Sequence, residues 1–258
     1  MEELKVIKVG GNIIDDDLAL EKFLSQFSSI NGPKVLVHGG GKLATKLAKD
    51  MNVPVYMIDG RRITDANTLD IITMVYAGKI NKNIVAKLQA NQCNAIGFTG
   101  ADGNTILSVK RPVKKIDYGF VGDVKKVNTA AINALLDNDI TPVFCAITHD
   151  SNGQLLNTNA DTIASELAIG LSKHYKTELI YCFEKDGVLL SVTDDNSVID
   201  FMDTGTYETL KIKGTFVDGM LPKLDNCYHA LYEGVSKVII GNPTVISNRN
   251  QKFTTLYL

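Results

Sequence analysis

Short β-rich runs alternate with amphipathic stretches from the first residues of this chain, and that alternation limits the fold more than any other feature. Leu4–Val9 and Lys34–His38 read as strands, followed by helices over Leu18–Ser29 and Leu43–Met51. A long helical pattern opens at Thr64, placed to act as its N-cap, and runs to about Gln89. Cys93–Phe98 reads as a strand, Ile106–Val109 and Phe120–Val124 as hairpin runs, Thr129–Leu136 as a helix and Ile140–Ile147 as a strand. The later chain repeats the rhythm, with helices over Ala160–Lys173 and Leu221–Glu233 and strands over Glu178–Phe183 and Lys237–Ile240. Thr254–Leu258 is expected as a last edge strand. Such alternation predicts a mainly parallel open sheet covered on both faces by helices. The polar Ser172–Thr177 stretch, just ahead of a fresh strand, is the expected seam between two lobes.

Bulk properties narrow the partners. At 258 residues the chain can bury a full core. A formal charge of −2 leaves no basic stripe for nucleic acid. No stretch of about 18 apolar residues is present, so no membrane span is expected. The start lacks a basic segment followed by an apolar run, which argues against a secretory signal. The four cysteines, Cys93, Cys145, Cys182 and Cys227, lie far apart with no C-x-x-C, as expected of reduced thiols in a cytoplasmic protein.

Two strand patterns run straight into glycines, Lys8-x-Gly10-Gly11 and His38-Gly39-Gly40-Gly41, and each is followed by a helical segment. Glycine lets the backbone turn sharply and present bare N–H groups, and a helix start adds unpaired donors, so both spots favour an anion. Ligands of open α/β sheets bind beyond the carboxyl ends of the strands, where both turns fall. The common phosphate loop G-x-x-x-x-G-K-S/T and the dinucleotide G-x-G-x-x-G are both absent. So are H-E-x-x-H and the G-x-S-x-G elbow.

Other segments have plain alternatives. Asn157-Thr-Asn159-Ala-Asp161 heads a helix and could simply cap it. Gly60-Arg61-Arg62-Ile63-Thr64 could be a solvated basic loop. Lys223, in Asp218-Gly219-Met220-Leu221-Pro222-Lys223, could be a surface charge beside a first-turn proline. His38 reads as a strand-end residue holding its turn rather than a general base. The Asp15–Asp17 run reads as a cap for the next helix, with a metal site as the alternative. His149, His174 and His229 receive no role.

Taken together, Lys8-x-Gly10-Gly11, His38 to Gly41, Gly60 to Thr64, Asn157-x-Asn159-Ala160-Asp161 and Gly219-Met220-x-Pro222-Lys223 resemble the amino acid kinase superfamily, and most closely its acetylglutamate kinase family. The resemblance covers essentially the whole chain. It implies a three-layer α/β/α sandwich, with residues 1–172 holding the acylated amino acid and the dimer contact and residues 173–258 holding ATP. Lys8 and Lys223 would stabilise the phosphoryl group, with Asp161 holding both lysines in place. Gly11 would offer a backbone donor to phosphate, Gly40 and Gly41 to phosphoryl group and substrate. Arg62 would bind a substrate carboxylate and Asn157 the substrate, while Gly187 and Gly219 would flank the nucleotide.

The implied reaction is ATP-dependent phosphorylation of the side-chain carboxylate of N-acetyl-L-glutamate in arginine biosynthesis, with Mg2+ on the ATP phosphates. N-succinyl-L-glutamate as substrate, or a non-catalytic nucleotide- or amino-acid-binding regulatory module, are the alternatives. The family's Ser/Thr-Asp in the nucleotide turn is replaced by Phe183-Glu184-Lys185-Asp186-Gly187. The first strand begins near residue 4, whereas arginine-inhibited hexameric members carry an extra N-terminal helix; this implies an arginine-insensitive homodimer.

Overall fold

In chain order the elements begin with β1 (Glu3–Val9), a one-turn α1 (Gly11–Ile14), α2 (Asp17–Ser28), β2 (Lys34–His38) and α3 (Gly41–Asp50). A small hairpin, β3 (Met57–Ile58) and β4 (Arg61–Arg62), leads to α4 (Ala66–Thr73), a π-helical turn over Met74–Ile80 and α5 (Asn81–Ala90). Then come β5 (Ala95–Phe98), β6 (Ile106–Lys110), β7 (Gly122–Val127), α6 (Thr129–Leu136), β8 (Thr141–Cys145), β9 (Ile147–His149) and β10 (Leu155–Asn157). The chain continues through α7 (Ala160–Leu171), β11 (Lys176–Cys182), β12 (Phe201–Met202), α8 (Thr204–Ile212), α9 (Met220–Tyr232), β13 (Lys237–Gly241) and β14 (Thr254–Leu256). The computed structural model describes residues 1–58, 60–216 and 219–258, so Asp218 of the Lys223 motif lies outside the described residues.

Eight strands form the main sheet in the order β12-β14-β13-β11-β1-β2-β8-β5. The run from β13 to β5 is parallel throughout, and β14 lies antiparallel to β13. A second sheet, β10-β9-β6-β7, stands apart from it. From β1 the chain first builds towards β2, β8 and β5, then crosses to β11 on the other side. Such a reversal opens a crevice at the strand ends.

Period-two alternation sorts the strands onto two cores. Leu4 and Val6 of β1, Val35 and Val37 of β2 and Leu179 and Tyr181 of β11 pack with Leu167 and Leu171 of α7 and Leu224 of α9. Ile7 and Val9, Leu36, and Ile180 and Cys182 face the other way, onto Phe23 and Phe27 of α2 and Ile84 of α5. Lys8 therefore belongs to the α7/α9 face, and His38 to the α5 face. Among the described residues no helix is long and apolar enough to cross a membrane. All four cysteines are buried and free.

The structure corrects several expectations. The N-cap of α4 is Asp65, which accepts from Thr68 N at 2.8 Å. Thr64 is otherwise engaged: it is buried, donates to the Arg62 carbonyl and accepts from Asn157 Nδ2. The long helix is broken by the π turn, whose i→i+5 register leaves no mark in an apolar pattern. Ile140–Ile147 is not one strand: Ala146, whose carbonyl accepts from Thr158 N, separates β8 from β9, and the two join different sheets. The expected last edge strand is covered by β12, which pairs outside it. Helix α8, capped by Asp203, and the second sheet's return strand β10 were not expected.

Candidate active site

In the parallel register Lys8 lies beside Tyr181 of β11 on one side and Val37 of β2 on the other. Val9 pairs with both Cys182 and His38, so three strands end level and release their turns side by side. The two glycine turns are thereby neighbours at the carboxyl edge of the sheet.

On the α7/α9 side of that edge, three charged side chains meet. Lys8 Nζ lies 2.8 Å from Asp161 Oδ1, and Lys223 Nζ lies 2.7 Å from Asp161 Oδ2. Their side chains are 14, 13 and 18% exposed for Lys8, Lys223 and Asp161, half-sheltered rather than sealed. Each comes from a different element: Lys8 from the end of β1, Asp161 from the first turn of α7, Lys223 from the first turn of α9. Asn159 is the cap of α7, accepting from Asp161 N at 2.8 Å and Thr162 N at 3.1 Å, which leaves the Asp161 carboxylate free for the lysines. Tyr181 completes the cluster. Its hydroxyl donates to the Asp161 carbonyl at 3.0 Å, and Lys223 Nζ sits 5.0 Å from its ring centroid.

The electrostatics follow from this geometry. At Asp161 burial opposes ionisation, but the Lys223 and Lys8 charges outweigh it and hold the carboxyl well below the usual range. Lys8 is lowered from its ordinary value, chiefly by burial, with Asp161 raising it and Lys223 lowering it further. Two ammonium groups against one carboxylate leave a net positive centre at the end of the crevice. A cavity of about 450 Å³ opens from it, lined by Lys8, Gly11, Lys223, Phe183, Gly187 and Gly219 among others.

On the other flank Gly40 turns the chain into α3 with φ of +151°. A side chain there would overlap Ile80 Cδ1 and press on the Tyr76 ring, so only glycine fits. Arg62, 8% exposed, donates through Nη2 to the Gly41 carbonyl at 3.0 Å and to Thr45 Oγ1 at 2.7 Å. Its buried Nη1 has no hydrogen-bond partner. A guanidinium nitrogen left bare in this position has a donor to offer a ligand. Asn157 donates to Thr64 Oγ1 at 3.0 Å, joining β10 to the segment that carries Arg62.

The sequence-predicted residues thus divide into a charged triad (Lys8, Asp161, Lys223), a glycine–arginine flank (Gly40, Gly41, Arg62, with Asn157 behind) and a cleft wall (Gly11, Gly187, Gly219). Two details add to these placements. The helix after Gly11 spans only Gly11–Ile14, so its dipole contributes little and Gly11 can offer only its backbone N–H. Gly187 is held by packing: a Cβ there would press on Thr254 and Val198, so it shapes the wall of the cleft from behind. Asp16 caps α2 as read, accepting from Ala19 N at 2.9 Å. Among the described residues no group of three or more His, Cys, Asp or Glu side chains is placed to hold a metal. Sequence reasoning missed Tyr181 and Tyr76: the pairing of Tyr181 with Lys8 joins strands far apart in the chain, and Tyr76 carried no signal.

The comparisons with known proteins agree with this architecture. The family model described as Amino acid kinase family matches residues 3–242. The acetylglutamate kinase of Cytophaga hutchinsonii is 58% identical over 241 residues, spanning 93% of this chain and 91% of that protein. The acetylglutamate kinase of Parabacteroides distasonis is 52% identical over 240 residues, spanning 93% of this chain and 94% of the relative. Among solved structures, smu.665 from Streptococcus mutans superposes with a TM-score of 0.79 at 24% identity, covering 98% of each chain, which is a likeness of fold. By sequence across nearly its whole length, the chain belongs to the amino acid kinase family and, within it, to the acetylglutamate kinases.

Proposed function

We propose that Lys8, Asp161 and Lys223 are the catalytic centre of an acetylglutamate kinase, which moves the γ-phosphoryl group of ATP to the side-chain carboxylate of N-acetyl-L-glutamate in arginine biosynthesis. The observation that carries the site assignment is the pair of ammonium groups held 2.8 and 2.7 Å from one carboxylate on the wall of the cavity.

The acceptor carboxyl has a pKa near ~4.3 and is ionised at neutral pH, so no general base is needed. The obstacle is repulsion between an anion and a polyanion, which positive charge and alignment must overcome. Lys8 and Lys223 supply that charge from two sides, and Asp161 fixes their direction while lowering their mutual repulsion. The first-turn amides of α3 lack intrahelical partners and add donors beside Gly40 and Gly41. Arg62 takes a substrate carboxylate with its bare Nη1, and Asn157 holds the segment that positions it. The wall formed by Gly187 and Gly219 receives the nucleotide. Mg2+ would be held by the ATP phosphates rather than by Asp161, which is already paired with both lysines, and would supply further neutralisation of phosphate charge. Residues 1–172 bind the acylated amino acid and form a homodimer in the cytoplasm, and residues 173–258 bind ATP. Sedimentation equilibrium tests the dimer, which should sediment at twice 28.1 kDa.

The deciding experiment follows ADP release with N-acetyl-L-glutamate, N-succinyl-L-glutamate and L-glutamate as acceptors. N-acetyl-L-glutamate is expected to give the highest kcat/KM. Calorimetric binding of ATP and acyl-glutamate without ADP release would instead identify a regulatory module. Arg62→Ala is expected to raise KM for the acyl-glutamate about ten- to hundredfold, the worth of a hydrogen bond to a charged group, with a smaller change in kcat. An unchanged KM removes Arg62 from the carboxylate site.

A further inference from the structure

Behind the glycine turn lies a buried polar chain that the reaction above does not use. Asn81 Nδ2 sits 2.9 Å from the Val143 carbonyl and 3.0 Å from His38 Nε2. A carbonyl only accepts, so it is the amide nitrogen of Asn81 that faces both groups, and it donates to each. His38 Nε2 is then the bare acceptor, and the ring proton resides on Nδ1, which donates to the Gly39 carbonyl at 2.8 Å. His38 and Asn81 are 0 and 1% exposed. Burial pushes the imidazole down to about 4, so it stays neutral at the pH where a kinase works.

Asn81 reaches this position through the π turn. The i→i+5 register advances less around the axis per residue than an α-helix does, so Tyr76, Ile80 and Asn81 share one face. Tyr76 and Ile80 close over Gly40, and Asn81 reaches beneath His38. Across the sheet β5 is bare at Gly97, where a Cβ would overlap the Asn81 amide oxygen. That oxygen is buried with no hydrogen-bond partner. A core kept for stability alone would avoid an unmet acceptor by using an apolar side chain.

We propose that His38 and Asn81 are positioning residues for phosphoryl transfer: Asn81 fixes the imidazole as its Nδ1–H tautomer, and His38 grips the Gly39 carbonyl to aim the Gly40 N–H into the crevice. The mechanical link is the peptide itself. No cis peptide occurs among the described residues, and in a planar trans unit the Gly39 C=O and the Gly40 N–H point in opposite directions. Holding the carbonyl against the imidazole therefore holds the N–H away from it. The inference rests on the reading of the crevice as the site of transfer.

The test compares two isosteres. His38→Asn places an amide nitrogen where Nδ1 was and can still donate to Gly39. His38→Gln places its amide at the Nε2 position and loses that contact. For His38→Gln, kcat per folded molecule should fall about ten- to hundredfold, the scale of a displaced reacting group, with KM for both substrates little changed. His38→Asn should recover most of that loss. Equal kcat in the two variants, with only their melting temperatures lowered, makes the pair structural and overturns the proposal. If His38→Gln does not fold, the ring-nitrogen NMR spectrum of the wild-type protein decides: a proton on Nδ1 supports the proposal and one on Nε2 overturns it. Absence of wild-type turnover on acyl-glutamates is a separate result, which removes the reading of the crevice and the proposal with it.

Discussion

Lys223→Ala and Lys8→Ala are each expected to lower kcat by about 10²–10³-fold, the usual cost of removing one preorganised charge from a developing transition state. KM for ATP and for the acyl-glutamate should move far less. The reason is differential: both lysines face a group whose charge is redistributed only during transfer, so their contribution is largest at the top of the barrier. The triad geometry also predicts an asymmetry in stability. Lys223 lies over the Tyr181 ring as well as against Asp161, so its removal strips two contacts, whereas Lys8 loses its ion pair alone. Rapid-quench measurement of the single-turnover rate separates chemistry from product release. A normal single-turnover rate in either variant removes that lysine from the reaction.

The second large effect is expected for Asp161→Asn, and it has a pH signature. Neutralising the carboxylate leaves two half-buried ammonium groups facing each other, a loss of about 3 kcal/mol by analogy with broken buried pairs. The sign of the pH dependence follows from the shifts. The Asp161 carboxyl is depressed below its ordinary value of 3.8, so its stabilisation is complete above that pH and is lost as pH falls through the lower folded value. The stability gap between wild type and variant should thus be full at neutral pH and close in strong acid. At the alkaline end Lys8 is already lowered by burial, and Asp161 is what raises it back. Without Asp161 the lysine loses its proton at lower pH, and the alkaline limb of kcat moves towards neutrality. Chemical denaturation across pH and a kcat–pH profile measure both trends. An alkaline limb that stays in place contradicts the assigned coupling.

What the sequence could reveal depended on range. Strands buried on both faces, such as Lys34–His38, announce themselves as apolar runs ending in glycine. The side of the sheet that Lys8 faces follows from the alternation of β1 once the two cores are seen. Asp161 was ambiguous because Asn159 and Asp161 are equally good caps by type; only the structure assigns the cap to the Asn159 amide oxygen and frees the Asp161 carboxylate. Thr64 misled because its hydroxyl is taken up by the Arg62 carbonyl two residues back and by Asn157 from a remote segment, neither of which its type as a cap reveals. The two-residue β12 depends on pairing with a remote strand, while β9, β10 and the π turn are local but too short for periodicity to declare them. His38 was read as holding its own turn, and the structure adds the partner, Asn81, that gives that role a direction.

Because Leu4, Val6 and Lys8 occupy alternate positions of one strand, the lysine cannot be displaced without exchanging the two aliphatic layers as well. A slip of one residue would drive the ammonium group into oil and bring Ile7 or Val9 to the phosphate. Molecules that pair this strand out of step would therefore be inert as well as unstable, so one register serves both the layers and the chemistry.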